Sequence, residues 1–262
     1  MRNSLAAAAS ALTLALTFGW FAAGPAIAQT PGAASMSIAD AVAAPDRPDK
    51  DRARDAARKP AELIAFAGVK SGDVVVDVMP GTGYWSRIFS GIVGPKGQVF
   101  AYVPEEIAGF KSDPVGTAKA MAAEPGRGNV QVKTHPLVVE GGPANVFDVV
   151  WIFQNYHDLH DSFMKGADVE AYDRMIFKAL KPGGVFMIVD HAAEAGSGLK
   201  HTEDQHRIDP AQVRVELEKA GFVFDGESKA LANPADPHTA LVFDPSIRGK
   251  TDQFAYRFKK PA

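Results

Sequence analysis

The sequence predicts an α/β protein built on a mostly parallel sheet with helices on both faces. Three observations predict it. Short runs rich in Val, Ile and Phe alternate with helix-prone segments along most of the chain. The strongest of these runs, such as Val74–Met79 and Phe147–Phe153, are apolar almost throughout, as strands buried on both faces are. A glycine turn, Pro80-Gly-Thr-Gly83, directly follows the first run and opens a helical segment.

Met1-Arg2 is followed by an uncharged Ala/Leu-rich run from Leu5 to Gly24 and the small residues Ala26-Ile27-Ala28. That order is a signal peptide over residues 1–28 on the general secretory route, since no twin-Arg pair is present. The same apolar run, left uncleaved, is long enough to anchor the protein in a bilayer. Cleavage implies an exported, periplasmic protein starting at Gln29, with 234 residues (262 less 28). Residues 29–48 are Ala-, Pro- and Ser-rich without periodicity, which predicts a flexible tether ahead of one domain at 49–262.

From Asp49 the chain is charged and helix-prone, and Pro60 suits the first turn of a helix carrying Leu63, Ile64 and Phe66, stopped by Gly68. Ser71-Gly-Asp73 turns the chain into the strand Val74–Met79. Further strands are predicted at Gln98–Val103, Val130–Lys133, Phe147–Phe153 and Val185–Val189, with helices around Trp85–Ile92, Asp113–Ala123 and Asp168–Leu180 between them. Pro210–Ala220 reads as a late helix stopped by Gly221, and Phe222–Asp225 and Phe254–Phe258 as late strands, the last antiparallel.

Composition narrows the function. A net charge of −3, or −4 once Arg2 is removed with the signal, excludes a basic nucleic-acid face. The absence of cysteine excludes thiolate nucleophiles, disulfides and Cys-ligated metals. A small-molecule partner remains, with no stable membrane insertion once the signal is cleaved. In an open α/β sheet such a ligand lies beyond the carboxyl ends of the strands. The rule selects Pro80–Tyr84, Val103–Glu106, His135, Gln154–His160 and Asp190–Glu194, where most of the unusual residues fall.

The glycine turn limits the ligand. Ser86 stands where a dinucleotide turn needs its third glycine, and a phosphate loop's Gly-Lys-Ser/Thr is missing. What remains is Asp77, Gly81 and Gly83 in an Asp-x-x-x-Gly-x-Gly pattern. This resembles the first motif of the class I, seven-stranded S-adenosylmethionine-dependent methyltransferases. "GQVFAYV", "FDVVWIFQNYHDLH", "LKPGGVFMIVDH" and "RIDPAQVRVELEKAGFVF" extend the similarity from Pro60 to Phe258. "PGTGYW" and "NYHDLH" together look most like a bacterial family of predicted methyltransferases, many carrying export signals.

The resemblance implies a Rossmann-like, mostly parallel seven-stranded sheet with helices on both faces and an antiparallel last strand. It also implies S-adenosyl-L-methionine as cofactor, with Asp77, Gly81 and Gly83 at its methionine end and Pro80, Thr82 and Tyr84 beside it. The sequence departs from the family twice: Met79 replaces the first glycine of the motif, and Val103 the acidic residue that binds the ribose. Glu105 is the nearest carboxylate to take that place, with Glu106 beside it.

Gln154-Asn-Tyr-His-Asp-Leu-His160 follows a buried strand at its ligand-facing end. Methyl transfer needs a positioned acceptor and, for an oxygen or nitrogen acceptor, a base. His157 or Asp158 suits that role, His157 better near neutral pH. Asn155, Tyr156, His191, His206 and Arg207 are candidate substrate contacts, Arg207 through its affinity for anionic groups. Tyr84, Trp85 or Tyr156 could turn a π face to the sulfonium. Alternatively, Asn155 and Asp158 cap the next turn, and Asp209-Pro210 reads as a helix cap. His157, His160 and His191 also permit a metal-dependent hydrolase, but their spacing is not diagnostic and no metal ligand is assigned. The expected function is methyl transfer to a small molecule. The alternative is an exported binding protein on the same scaffold.

Overall fold

The structure is a computed structural model and describes residues 34–262. The predicted signal peptide lies outside the described residues, as does the tether up to residue 33. The described part of the tether is corrected: Ile38–Ala43 is a helix capped by Ser37, and it buries Ala41 against the Tyr84–Val93 helix. Its Ala-rich sequence, read as unstructured, supplies small side chains for that close approach, and the Met36 amide bonds to the Gly91 carbonyl.

Seven strands form one sheet: β1 (Val74–Val78), β2 (Gln98–Pro104), β3 (Val130–His135), β4 (Phe147–Phe153), β5 (Leu180–His191), β6 (Val223–Ser228) and β7 (Gln253–Lys259). The order is β3-β2-β1-β4-β5-β7-β6; β3 to β5 pair in parallel, and β7 is antiparallel to both its neighbours. The predicted strands and the main helices are present, with ends shifted by a few residues.

The apolar runs work as expected of strands covered on two faces. Val76, Val78, Val150, Ile152, Phe186 and Ile188 pack under the Val169–Ala179 and Pro210–Lys219 helices. Val75, Val149, Trp151, Val185, Met187 and Val189 pack under the Pro60–Ala67 and Tyr84–Val93 helices. The chain leaves β1 in one direction to reach β2 and β3 and returns on its other side to reach β4 and β5. That reversal parts the loops after β1 and β4 and opens a crevice at their carboxyl ends.

Candidate functional site

A cavity of about 550 Å³ fills the crevice. One wall is Met79–Thr82, Tyr84, Arg54 and Arg58; the other is Gln154, Asn155, His157, Asp158, His191 and His206. An apolar recess of about 210 Å³ adjoins it past Gly81, walled by Val103, Ile107, Phe110, Pro114 and Phe163.

Asp77 points from β1 toward the Tyr84–Val93 helix, where the Ser86 hydroxyl donates to it at 2.5 Å. Burial pushes its carboxyl up to about 7, although the Ser86 hydrogen bonds oppose the shift. Ser86, the residue that rules out a dinucleotide turn, is therefore the partner of the motif's aspartate. Met79 adopts φ 53°, the left-handed conformation a glycine takes most easily. The backbone path of the turn thus survives without its first glycine.

The two remaining glycines do different things. A Cβ on Gly83 would lie 2.4 Å from Met121 Cγ, so Gly83 lets the helix pack closely; a Cβ on Gly81 would meet nothing within 4 Å. Gly81 is the one that leaves the cavity open.

The charged stretch after Asp49 builds a wall that the sequence did not reveal. Arg87 donates to the buried Asp51 at 2.9 Å and to the Thr82 carbonyl at 2.7 Å, which ties that stretch to the glycine turn. The Tyr84 hydroxyl donates to Asp55 at 2.5 Å, and Arg47 grips the same carboxylate at 2.7 and 2.9 Å. The Arg58 guanidinium lies 4.5 Å from the Tyr84 ring centre and 5.0 Å from that of Phe153. Among the described residues no carboxylate pairs with Arg58. Burial and the neighbouring Arg54 bring it down to about 10, still protonated near neutral pH.

These contacts correct several expectations. Arg47, Arg54 and Arg58 all lie against the Tyr84 ring. Trp85 packs on Trp151 and Phe153 at 4.7 and 4.8 Å, so both rings already have aromatic or cationic neighbours where they line the cavity. Tyr156 is fully buried on the other face of the sheet, its hydroxyl 2.9 Å from Asp173 and 3.0 Å from Glu216, so it is not a substrate contact. Arg207 is also buried, paired with Asp236 at 2.9 Å and donating to the Ala192 and Ala240 carbonyls, and is not a clamp for an acidic substrate. Glu105 is exposed at the start of a short helix and lines neither cavity, while Glu106 accepts from the Leu137 amide. Val103 faces the apolar recess. Asp209 caps the Pro210 helix through the Ala211 amide.

The polar cluster after β4 is drawn together by a residue the sequence reading placed only within a region. Asp190, wholly buried at the end of β5, accepts from the His157 amide, from His157 Nδ1 and from the His191 amide, each at 2.8 Å. His157 Nε2 then faces Asp158 Oδ1 at 3.3 Å and His206 Nδ1 at 3.2 Å. Burial by itself would lower His157, but Asp190 and Asp158 outweigh it and push the ring up to about 10. His157 is therefore a cation near neutral pH, contrary to its expected role as a base.

Burial by itself would raise Asp158, but His157 and the Asn155 amide, at 2.6 Å, hold it below the usual carboxylate range. His191 bonds to the Thr251 hydroxyl at 2.7 Å, and burial brings it down to about 4, so it is neutral. His160 turns away to Glu216 at 3.3 Å and does not join His157 and His191. Three non-glycine residues of the cavity wall, Met79, Gln154 and His206, have φ of 53°, 62° and 53°. Such strain persists where surrounding contacts impose it, and it gathers at binding sites.

No protein-family model matches the chain. It is 26% identical over 193 residues to the ubiquinone/menaquinone biosynthesis C-methyltransferase UbiE of a Marinomonas species. The match takes in 72% of this chain and 65% of that protein, and about half the length of other UbiE relatives. Among solved structures, a SAM-dependent methyltransferase from Aquifex aeolicus superposes with a TM-score of 0.58 at 19% identity, covering 86% of this chain and 99% of the other. The [4+2]-cyclase SpnF superposes at 0.55 with 18% identity, over 78% and 82%. The fold is the Rossmann-like methyltransferase fold. These solved structures, all below 25% identity, carry the likeness at the level of the fold.

Proposed function

We propose that the protein transfers a methyl group from S-adenosylmethionine to a hydroxyl-bearing small molecule. One observation carries this reading: a single cavity has a glycine turn with an unpaired guanidinium on one wall and a His–Asp–His group on the other. The first wall fits the methionine end of the cofactor. Arg58 suits its carboxylate, and Gly81 leaves room for backbone contact. The recess at Val103 and Phe163 suits a flat apolar ring, so the ribose would be held without the usual carboxylate.

The cofactor supplies an electrophilic methyl group, and the chain's own residues act on the acceptor. Asp158 is ionised and reaches the cavity, where it accepts a hydrogen bond from an acceptor hydroxyl and orients it. His157, held protonated by Asp190, stabilises negative charge as it develops on that oxygen. His206, on a partly exposed turn, is the group placed to take the proton away. The UbiE relatives are named for methylation of carbon, and an oxyanion next to an aromatic carbon would make that carbon the nucleophile. With S-adenosylmethionine bound, its sulfur would be the leaving group as the methyl passes to the acceptor.

Calorimetric titration with S-adenosylmethionine tests the reading; no heat and no thermal shift at millimolar ligand would refute it. A binding protein without turnover is the second reading, favoured by Val103 where the resemblance expects an acid. It predicts cofactor binding with no methyl transfer to any hydroxylated acceptor. Export rests on residues 1–28 alone, and a mature chain beginning at Gln29 is the expected result of N-terminal sequencing.

A further inference from the structure

We infer that His157 Nε2, Asp158 Oδ1 and His206 Nδ1 form a three-ligand site for a divalent transition metal of the zinc type, its open position facing the cavity. These three atoms form a triangle with sides of 3.2, 3.3 and 3.6 Å. Zinc bonded at about 2.0–2.1 Å in tetrahedral geometry sets its ligand atoms about 3.3–3.4 Å apart, so the triangle is close to one face of that tetrahedron. Among the described residues this is the one set of His and acidic side chains whose ligand atoms converge in this way.

The support behind the triangle fits a metal as well. Asp190 accepts from His157 Nδ1 at 2.8 Å, which fixes the ring so that Nε2 is the atom presented. A carboxylate behind a metal-bound imidazole is the usual outer partner, setting both ring orientation and basicity. Asn155 does the same for Asp158 through its second oxygen, at 2.6 Å, and leaves Oδ1 to the triangle. His206 is held at φ 53° with its ring 5.1 Å from Phe243, a strained turn that brings Nδ1 to the other two atoms.

Two imidazoles and one carboxylate suit zinc better than calcium or magnesium, which prefer oxygen alone. A bound metal would replace the proton on His157 Nε2, so the metal-bound triangle and the protonated His157 of the proposed function are alternative states of one site. All three residues line the larger cavity, so the fourth position is open to water or to a ligand oxygen. The ion site rests on this geometry alone; only the assignment of that oxygen to the methyl acceptor's hydroxyl rests on the methyl-transfer reading.

Cobalt(II) added to the untagged chain tests the site, since a tetrahedral ion with nitrogen and oxygen ligands absorbs in the visible. The expected result is a saturable spectrum that stoichiometric zinc(II) abolishes. His206→Ala, on a partly exposed turn, and Asp158→Asn should each weaken zinc binding by about tenfold or more, while His160→Ala should leave it unchanged. No cobalt spectrum, or zinc binding in His206→Ala equal to that of the parent chain, would overturn the inference, as would loss of the spectrum in His160→Ala. The S-adenosylmethionine titration is a separate measurement, so the ion site and the methyl-transfer reading can fail independently.

Discussion

One carboxylate oxygen pair on Asp190 holds His157 twice, at its backbone amide and at its ring Nδ1, both at 2.8 Å. The contact joins the end of β5 to the turn after β4 and sets which face of the imidazole reaches the cavity. Asp190→Ala would strand a buried cation and two amides. The expected loss is roughly 3–5 kcal/mol of stability, read from denaturant unfolding. A loss below about 1 kcal/mol, the scale of one ordinary hydrogen bond, would show that the pair is not the anchor described here.

Asp77 gives the molecule an unusual pH dependence. Its carboxyl stays protonated in the folded state up to about 7, against 3.8 as the ordinary value. The folded chain therefore holds a proton that the unfolded chain releases earlier, so this contribution is full below pH 3.8 and is lost as pH rises toward 7 and above. Asp77→Asn removes the titration. Its stability relative to the parent chain should rise between pH 4 and pH 8 by roughly 4 kcal/mol. Parallel unfolding curves for the two chains across that range would contradict the assignment.

The two glycines of the turn should separate in experiment. Gly83→Ala drives a Cβ to 2.4 Å from Met121 Cγ at a residue with φ 84°. It should cost about 1–3 kcal/mol of stability through overpacking, with more from the left-handed backbone. Gly81→Leu carries the backbone strain, roughly 1–2 kcal/mol, but no overpacking, so it should abolish S-adenosylmethionine binding with a smaller loss of thermal stability than Gly83→Ala.

Arg58→Gln tests the cationic wall. If the guanidinium holds the cofactor's carboxylate, the affinity for S-adenosylmethionine should fall about tenfold to a hundredfold, the worth of a charge-assisted hydrogen bond. Adenosine, which has no carboxylate, should bind the variant and the parent equally. Equal loss for both ligands would place Arg58 in a structural role.

The sheet was legible because each strand buried on both faces is a run that only a strand of that length explains, as in Phe147–Phe153. The glycine turn was legible because its chemistry is local. What could not be read were partners set by the sheet order. His157 and Asp190 are 33 residues apart, and His206 lies 49 residues beyond His157. Adjacent residues misled for a simpler reason: Tyr156 and His157 point to opposite sides, one into the core and one into the cavity. The charged stretch from Asp49 to Arg58 reads only as helix-prone because Tyr84 and Arg87, which it covers, come about thirty residues later.

That stretch has a thermodynamic consequence. Arg47, Asp51 and Asp55 clasp Tyr84 and Arg87, and between these attachments the same short segment lends Arg54 and Arg58 to the cavity. Segment docking and ligand occupancy are therefore coupled equilibria, and coupling of this kind is reciprocal. A ligand that engages Arg58 tightens the clasp on residues 47–58, and a protease able to cut that segment reports on whether the pocket is filled.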